Sequence, residues 1–343
     1  MLKKYLLYSF ILPVLAVLFS GCEKEEALYP KPNVPAGLQT KSFAMGEFYQ
    51  NQLWFDFESQ KEYTNAFGQW DLGFSCNGEP KIILCAGKHS NYSVSKVLNV
   101  PFNDIHVLDL KKLNWEFDSP CGDADSLAFK NCFVKQPQGY SGLSNETYII
   151  DLGTDSSYTK RYIKMKIHTV RGGVYEFQWG FVYEPSEFYL TKIYTNTNYN
   201  YAYFSFFTKD LVKNEPVENN MWDIVFTTYK ETIPDDNGKI YPYIIRGALI
   251  NDQKLSVCQI DNGIAFEDCN LDYASKQFYN KKLDEIGYDW KQYSQSAGKY
   301  TIVPNRYYIL KTKNGNFFKM RFVDFYDDQG RKGFPKLAWQ ILN

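Results

Sequence analysis

The sequence predicts a mainly β protein made of two tandem antiparallel-sheet domains. Three observations carry that expectation. Aromatic residues form 18% of the chain, with 28 Tyr and 26 Phe, and aromatic and β-branched side chains suit half-buried strands. Apolar and charged residues alternate in Ile163-Lys164-Met165-Lys166-Ile167 and in Phe318-Lys319-Met320-Arg321-Phe322. Period-two alternation puts apolar side chains on one face of a strand and charges on the other. The third observation is that two halves of the chain share an ordered set of landmarks.

The chain does not begin with this body. Lys3 and Lys4 precede an apolar run from Leu6 to Phe19. The run is shorter than the roughly 20 residues of a membrane-spanning helix and suits a secretory signal peptide over residues 1–21. Leu18-Phe19-Ser20-Gly21-Cys22 resembles the lipobox of bacterial lipoproteins, which implies acylation at Cys22 and cleavage just before it. Glu23-Lys24-Glu25-Glu26 resembles the signal that sends Bacteroidetes lipoproteins to the outer face of the outer membrane. The expected location is therefore the cell outer membrane, facing the exterior. Pro30, Pro32 and Pro35 make residues 22–40 an extended tether.

The remainder is long enough for two domains, expected over residues 41–185 and 198–343. Phe55-Asp56-Phe57 answers Phe204-Ser205-Phe206, and Trp70-Asp71-Leu72-Gly73-Phe74 answers Trp222-Asp223-Ile224-Val225-Phe226. Cys121-x6-Ala128-Phe129-x2-Cys132 recurs as Cys258-x6-Ala265-Phe266-x2-Cys269 at identical spacing. Tyr148-Ile149-Ile150 matches Tyr308-Ile309-Leu310, the two alternating strands match each other, and Trp179 matches Trp339. Asn314-Gly315 between two apolar runs is a hairpin turn signal. Helix signals are few, and Leu271 to Leu283 reads as a short helix or connector. Each Trp-Asp pair reads as structural, a large buried anchor beside a carboxylate that bonds backbone or caps a turn.

The net charge is −1 with no basic stripe, so nucleic acid is not an expected partner. Of seven cysteines, six follow Cys22: Cys76, Cys85, Cys121, Cys132, Cys258 and Cys269. An even count in an exported chain suggests disulfides, and the clustering favours Cys76 with Cys85, Cys121 with Cys132, and Cys258 with Cys269. No pair has the short spacing of structural zinc, and histidine is scarce. No metal site is expected. No G-x-S-x-G elbow, H-E-x-x-H helix or P-loop occurs, so no catalytic residue is assigned and no enzyme is expected. Asp235-Asp236-Asn237-Gly238 and Asp327-Asp328-Gln329-Gly330 lack the spaced ligands of a calcium loop and read as turns.

Several second-half segments together resemble the HmuY family of Bacteroidetes lipoproteins. They are Trp222 to Phe226, Tyr243-Ile244-Ile245-Arg246-Gly247, Asn305-Arg306-Tyr307-Tyr308-Ile309-Leu310 and Phe317 to Tyr326. The resemblance covers most of residues 200–343 and reaches 41–180 through the repeat. It implies an all-β haemophore-type lipoprotein that passes haem to an outer-membrane receptor, here of the TonB-dependent kind. The family's founding member holds iron with two histidines, one just upstream of the N-R-x strand, and some relatives use methionine. This chain has three histidines, all in the first half, and Tyr293 to Tyr300 offers no axial ligand. The bis-histidine site therefore carries over to no residue. The candidate haem ligands are His89, His106 and Met221. The alternative function is a non-haem surface binding or interaction lipoprotein whose ligand is a small molecule, a glycan or a protein.

Overall fold

The computed structural model describes residues 37–106, 110–153, 160–184, 187–215, 218–235 and 237–343. The signal peptide, Cys22 and most of the tether lie outside them. Among the described residues the aromatic-rich segments become antiparallel strands. The first half supplies β1 (Gln39–Ser42), β2 (Asn51–Phe55), β3 (Glu62–Ala66), β4 (Leu72–Ser75), β5 (Ile82–Leu84), β6 (Ser93–Leu98), β7 (Phe133–Gln136), β8 (Gly139–Gly142), β9 (Glu146–Asp151), β10 (Tyr162–Arg171) and β11 (Val174–Phe181). The second half supplies β12 (Tyr189–Tyr194), β13 (Tyr201–Ser205), β14 (Asp210–Val212), β15 (Ile224–Pro234), β16 (Ile240–Ile250) and β17 (Leu255–Ile260). It continues with helix α1 (Leu271–Ser275), β18 (Lys291–Ser294), β19 (Lys299–Ile302), β20 (Tyr307–Thr312), β21 (Phe317–Tyr326) and β22 (Lys332–Leu342). The expected helix is this one turn, capped by Asn270, whose side chain accepts the Tyr273 N–H.

The sheets repeat, and they exchange strands. One large sheet runs β1-β22-β21-β20-β17; its counterpart runs β12-β11-β10-β9-β6, with β8 and β7 added. Two small sheets run β3-β2-β15-β16 and β14-β13-β4-β5. Strands β1 to β3, which open the first half, thus finish the sheets of the second half. Strands β12 to β14, which open the second half, finish those of the first. The registers agree: Phe55 lies opposite Ile224, and Phe204 lies opposite Leu72.

Two apolar cores follow from this exchange. The first gathers Phe74, Tyr148, Met165, Phe177 and Trp179, and takes Phe204 and Phe206 from the second half. The second gathers Phe226, Tyr308, Met320, Phe322 and Trp339, and takes Phe43, Phe55 and Phe57 from the first half. Residues 41–185 and 198–343 therefore each contribute to both cores.

The Trp-Asp pairs fasten the exchange. Asp71 is wholly buried; its Oδ2 accepts the Phe206 N–H at 2.7 Å, and its Oδ1 accepts Lys88 Nζ and the Tyr92 hydroxyl, each at 2.8 Å. Asp223 is wholly buried; its Oδ2 accepts the Phe57 N–H at 2.7 Å, and Lys254 Nζ lies 3.2 Å from its Oδ1. Lys254 also pairs with Asp56. Trp70 packs on Tyr203 at 4.7 Å, as Trp222 packs edge-on against Trp54 at 4.6 Å. Asn314-Gly315 forms the turn between β20 and β21, with Gly315 at φ 81°. Glu58, from the other half, accepts bonds from Thr312, Asn314 and Asn316 around that turn.

Two expectations need correction. All six described cysteines are free thiols. Cys76 and Cys85 lie beyond opposite ends of the β4–β5 hairpin, in which Leu72 faces Leu84 and Phe74 faces Ile82, so roughly 3.3 Å of rise per residue keeps them well apart. Cys121 Sγ instead contacts Ser126 Oγ at 3.1 Å, and Cys132 is buried in the first core. Cys258 and Cys269 share a small apolar cluster without bonding. Second, the matched cysteine spacing is coincidence. Cys258 on β17 pairs with Ile309, and the residue paired with the equivalent Ile149 is Ser95, not Cys121. The charged face of the alternating strands is not all solvent-facing. Lys164 and Lys319 are buried, because loops cross that face and offer carbonyls. Lys164 Nζ donates to Phe102 and Ile105, and Lys319 Nζ donates to Phe266, Glu267 and Cys269.

The exchange predicts that neither half is self-sufficient. A fragment of residues 187–343 lacks Phe43, Phe55 and Phe57 from its core. Expressed alone, it should show no cooperative thermal unfolding by circular dichroism. Mixed with residues 37–186, it should recover a cooperative transition, whereas a cooperative melt of the lone fragment would contradict the exchange.

Candidate functional site

The unequal lengths of one hairpin create the site. Strands β4 and β5 have four and three residues, whereas their counterparts β15 and β16 have eleven each. The surplus forms an arm standing beyond the second core. Pro242 lies on β16, the outer strand of this arm, where the N–H it lacks is not missed by a further strand. Hairpin β18–β19 faces the same space, pairing Tyr293 with Tyr300. Between arm and hairpin lies an open cavity of about 480 Å³, within the size range of small-molecule sites.

Its walls combine rings and cations. Tyr49, Tyr243, Tyr288, Tyr293, Tyr300 and Phe325 supply rings, and Arg246, Lys291, Arg306 and Lys332 supply positive charge, with Asp289 the one carboxylate. The Arg246 guanidinium lies 4.5 Å from the Tyr49 ring centre, a cation–π contact. Burial pushes the Tyr49 phenol up to about 12. Arg306 is anchored by Asp261 at 2.6 Å and Asp289 at 2.8 Å. Lys291 is buried, donating from Nζ to the Arg246 carbonyl at 2.7 Å and the Tyr288 carbonyl at 3.3 Å. Its Nζ lies 4.1 Å from the Trp290 ring centre, and Trp290 stacks on Phe322 at 3.7 Å. Burial, then the nearby Arg246 charge, lower the Lys291 ammonium to about 7.

A second cavity, about 160 Å³, lies where the small sheets meet. Trp54, Trp70, Trp222, Tyr201 and Tyr203 line it together with Asp118 and Glu215. That volume is below the range typical of ligand sites and far too small for a porphyrin. Asp118 accepts the Leu84 and Ala128 N–H groups, and Glu215 accepts the Asn200 N–H and the Tyr203 hydroxyl. Burial raises both carboxyls to about 7.

The residues singled out by sequence lie elsewhere. His89 is partly exposed, and its Nδ1 accepts the Asn91 N–H at 3.2 Å. His106 is exposed in a loop, and Met221 is half-buried just before β15. None of the three lines either cavity. Cys22 lies outside the described residues. Among the described residues no cluster of His, Cys, Asp or Glu is arranged to hold a metal ion. Both acidic turns are explained by local bonds: Asp235 Oδ1 accepts the Asn237 and Lys239 N–H groups, and Asp327 Oδ1 accepts those of Gln329 and Arg331. Arg246 and Arg306 sat inside motifs already noted in the sequence. Lys291 carried no signal, because a lysine between Trp290 and Gln292 reads as an ordinary exposed position.

Residues 197–339 match the family model described as HmuY protein. No curated protein matches the chain. Among solved structures, apo PinO from Porphyromonas gingivitis is similar at 12% identity and a TM-score of 0.25, covering 90% of this chain and 99% of its own. An apo HmuY analogue from Tannerella forsythia is similar at 6% identity and a TM-score of 0.25, covering 90% of this chain and 97% of its own. A chain from Bacteroides vulgatus, described as a candidate HmuY-like haem-binding protein, shares 17% identity with a TM-score of 0.17, covering 39% of this chain and 81% of its own. Likenesses at these scores carry no structural argument; the family match stands without them.

The buried carboxyls predict a pH effect on stability. A carboxyl whose folded pKa is raised holds its proton more tightly when folded. Its stabilisation is complete below the unfolded value near 4 and fades as pH rises through about 7. Thermal midpoints should therefore fall between pH 5 and 7, and the Asp118→Asn, Glu215→Gln double variant should lessen that slope, leaving the share of Asp223, whose carboxyl burial also raises to about 7. An unchanged slope in the double variant would refute the assignment.

Proposed function

We propose that this chain, HmuY-like over residues 197–339, is a surface-held, lipid-anchored binding protein that takes a flat anionic ligand of the porphyrin kind. Cys22 would carry the lipid, and the charged residues after it would direct the protein to the outer face of the outer membrane. A TonB-dependent receptor is the partner such a carrier would serve. The observation behind this reading is the cavity between arm and hairpin. Rings are available for stacking, and Arg246, Arg306, Lys291 and Lys332 surround the space where carboxylates would lie.

Haem fits this cavity in part. The ring and its two propionates have matching partners. The iron has neither imidazole nor thioether, because no histidine or methionine lines the cavity. Recognition would then rest on the macrocycle and the carboxylates, with His89, His106 and Met221 uninvolved. The missing ligands also favour the second reading, a carrier of some other flat anion on the same fold.

Titration of the tag-free protein with haemin and with metal-free protoporphyrin separates these readings. Both should bind with affinities within about threefold, since no imidazole or thioether bond adds to one of them. Arg246→Ala should weaken both by about tenfold, the loss of a charge-assisted bond. His89→Ala and Met221→Ala should leave both unchanged. Absence of any Soret shift would end the porphyrin reading and leave the other flat anions.

A further inference from the structure

Lys291 has a chemical environment that its packing alone does not need. Its ammonium group is buried among rings, with Trp290 and Phe325 centres at 4.1 and 4.9 Å. Its bonding partners are neutral carbonyls. No carboxylate among the described residues forms an ion pair with it. One of those carbonyls belongs to Arg246, whose own guanidinium borders the same cavity. A buried lysine normally gains a carboxylate partner or loses its proton. Among the other buried lysines, Lys230 also donates to a carbonyl, that of Tyr92, and borders a cavity of about 450 Å³ that holds the Asp151 carboxylate. Lys254 pairs with Asp56 and Asp223, and Lys319 is enclosed by loop carbonyls. Lys291 lines an open cavity of about 480 Å³.

From this geometry we infer that Lys291 is a reactive amine, and that the cavity captures aldehydes bearing an aromatic ring and an anionic group, by reversible imine formation. Desolvation beside a second cation is one of the ways a lysine becomes a nucleophile near neutral pH. The nitrogen lone pair attacks the aldehyde carbon. The C=O bond is replaced by C=N, and the carbonyl oxygen leaves as water with the two amine hydrogens. Nothing is oxidised or reduced, and no co-reactant is needed. The tyrosines would stack on the ring, and Arg246, Arg306 and Lys332 would meet the anion. This inference uses the same cavity as the reading above but not the same ligand.

Pyridoxal 5′-phosphate is a suitable probe, being an aromatic aldehyde with a phosphate. The wild-type protein is incubated with it at pH 7.5, reduced with borohydride, digested and mapped by mass spectrometry. Label on Lys291 should exceed that on any other lysine, Lys230 included, by about tenfold. Lys291→Arg and Lys291→Met should lose that label. Label spread over exposed lysines, with Lys291 unmodified in the wild type, would overturn the inference whatever the variants do. A parallel incubation with excess haemin keeps the two readings apart. Protection of Lys291 supports both, while undiminished label on Lys291 supports the imine and removes only the porphyrin from this cavity.

Discussion

Two buried carboxylates, Asp71 and Asp223, hold the molecule in its exchanged form. Each sits in a core fully removed from water, where an unpaired charge would be costly. Each accepts a backbone N–H that a strand from the other half brings to it, from Phe206 or from Phe57. Lys88 and Lys254 complete the compensation. Removing the foreign strand would strip the apolar side chains Phe204 and Phe206, or Phe55 and Phe57, and would also take a backbone N–H from a buried carboxylate. The exchange is therefore enforced twice, by packing and by electrostatics. The recurring Trp-Asp pairs mark the two places where it is enforced.

Much of this was readable in the sequence. Period-two alternation on β10 and β21, the Asn-Gly turn and the Trp-Asp recurrences all became what their chemistry implied. What the sequence could not give was which strands meet. Phe55-Asp56-Phe57 and Phe204-Ser205-Phe206 were recognisable as equivalent, but an intact half and an exchanged half have the same order of landmarks. Pairing depends on how the chain travels between elements, and no local pattern records that. The cysteine match failed for a related reason. Spacing along the chain is not position in a sheet, and strand register sets Cys258 against Ser95 as its counterpart. The burial of Lys164 and Lys319 was not legible, because alternation only says that a strand has two faces. It cannot say that a loop will cover the polar one and supply carbonyls to a lysine.

The candidate site was half readable. Arg246 and Arg306 lie in segments that stood out, yet nothing in those segments marks a cavity. The cavity exists because β15 and β16 outgrow β4 and β5, a difference in length between repeats rather than in residue type. Histidine and methionine drew attention because the family resemblance made them natural ligands. Their positions follow from other demands: His89 in a turn, Met165 and Met320 in the cores.

Symmetry and its breaking have separate roles in this protein. The parts that repeat faithfully, the Trp-Asp anchors, the lysines under loops and the paired Trp179 and Trp339, are the parts that hold the cores. The repeats differ in the long arm and in an inserted hairpin, β7–β8 on the large sheet of the first and β18–β19 beside the cavity in the second. Functional residues are often carried by segments placed on a rigid scaffold, and the exchange makes that scaffold rigid at the right place. Tyr49, which stacks under Arg246, reaches the cavity because the segment between β1 and β2 is carried across to the second core. The cavity thus has walls from both halves of the chain, and the strand exchange that completes the core also completes the site.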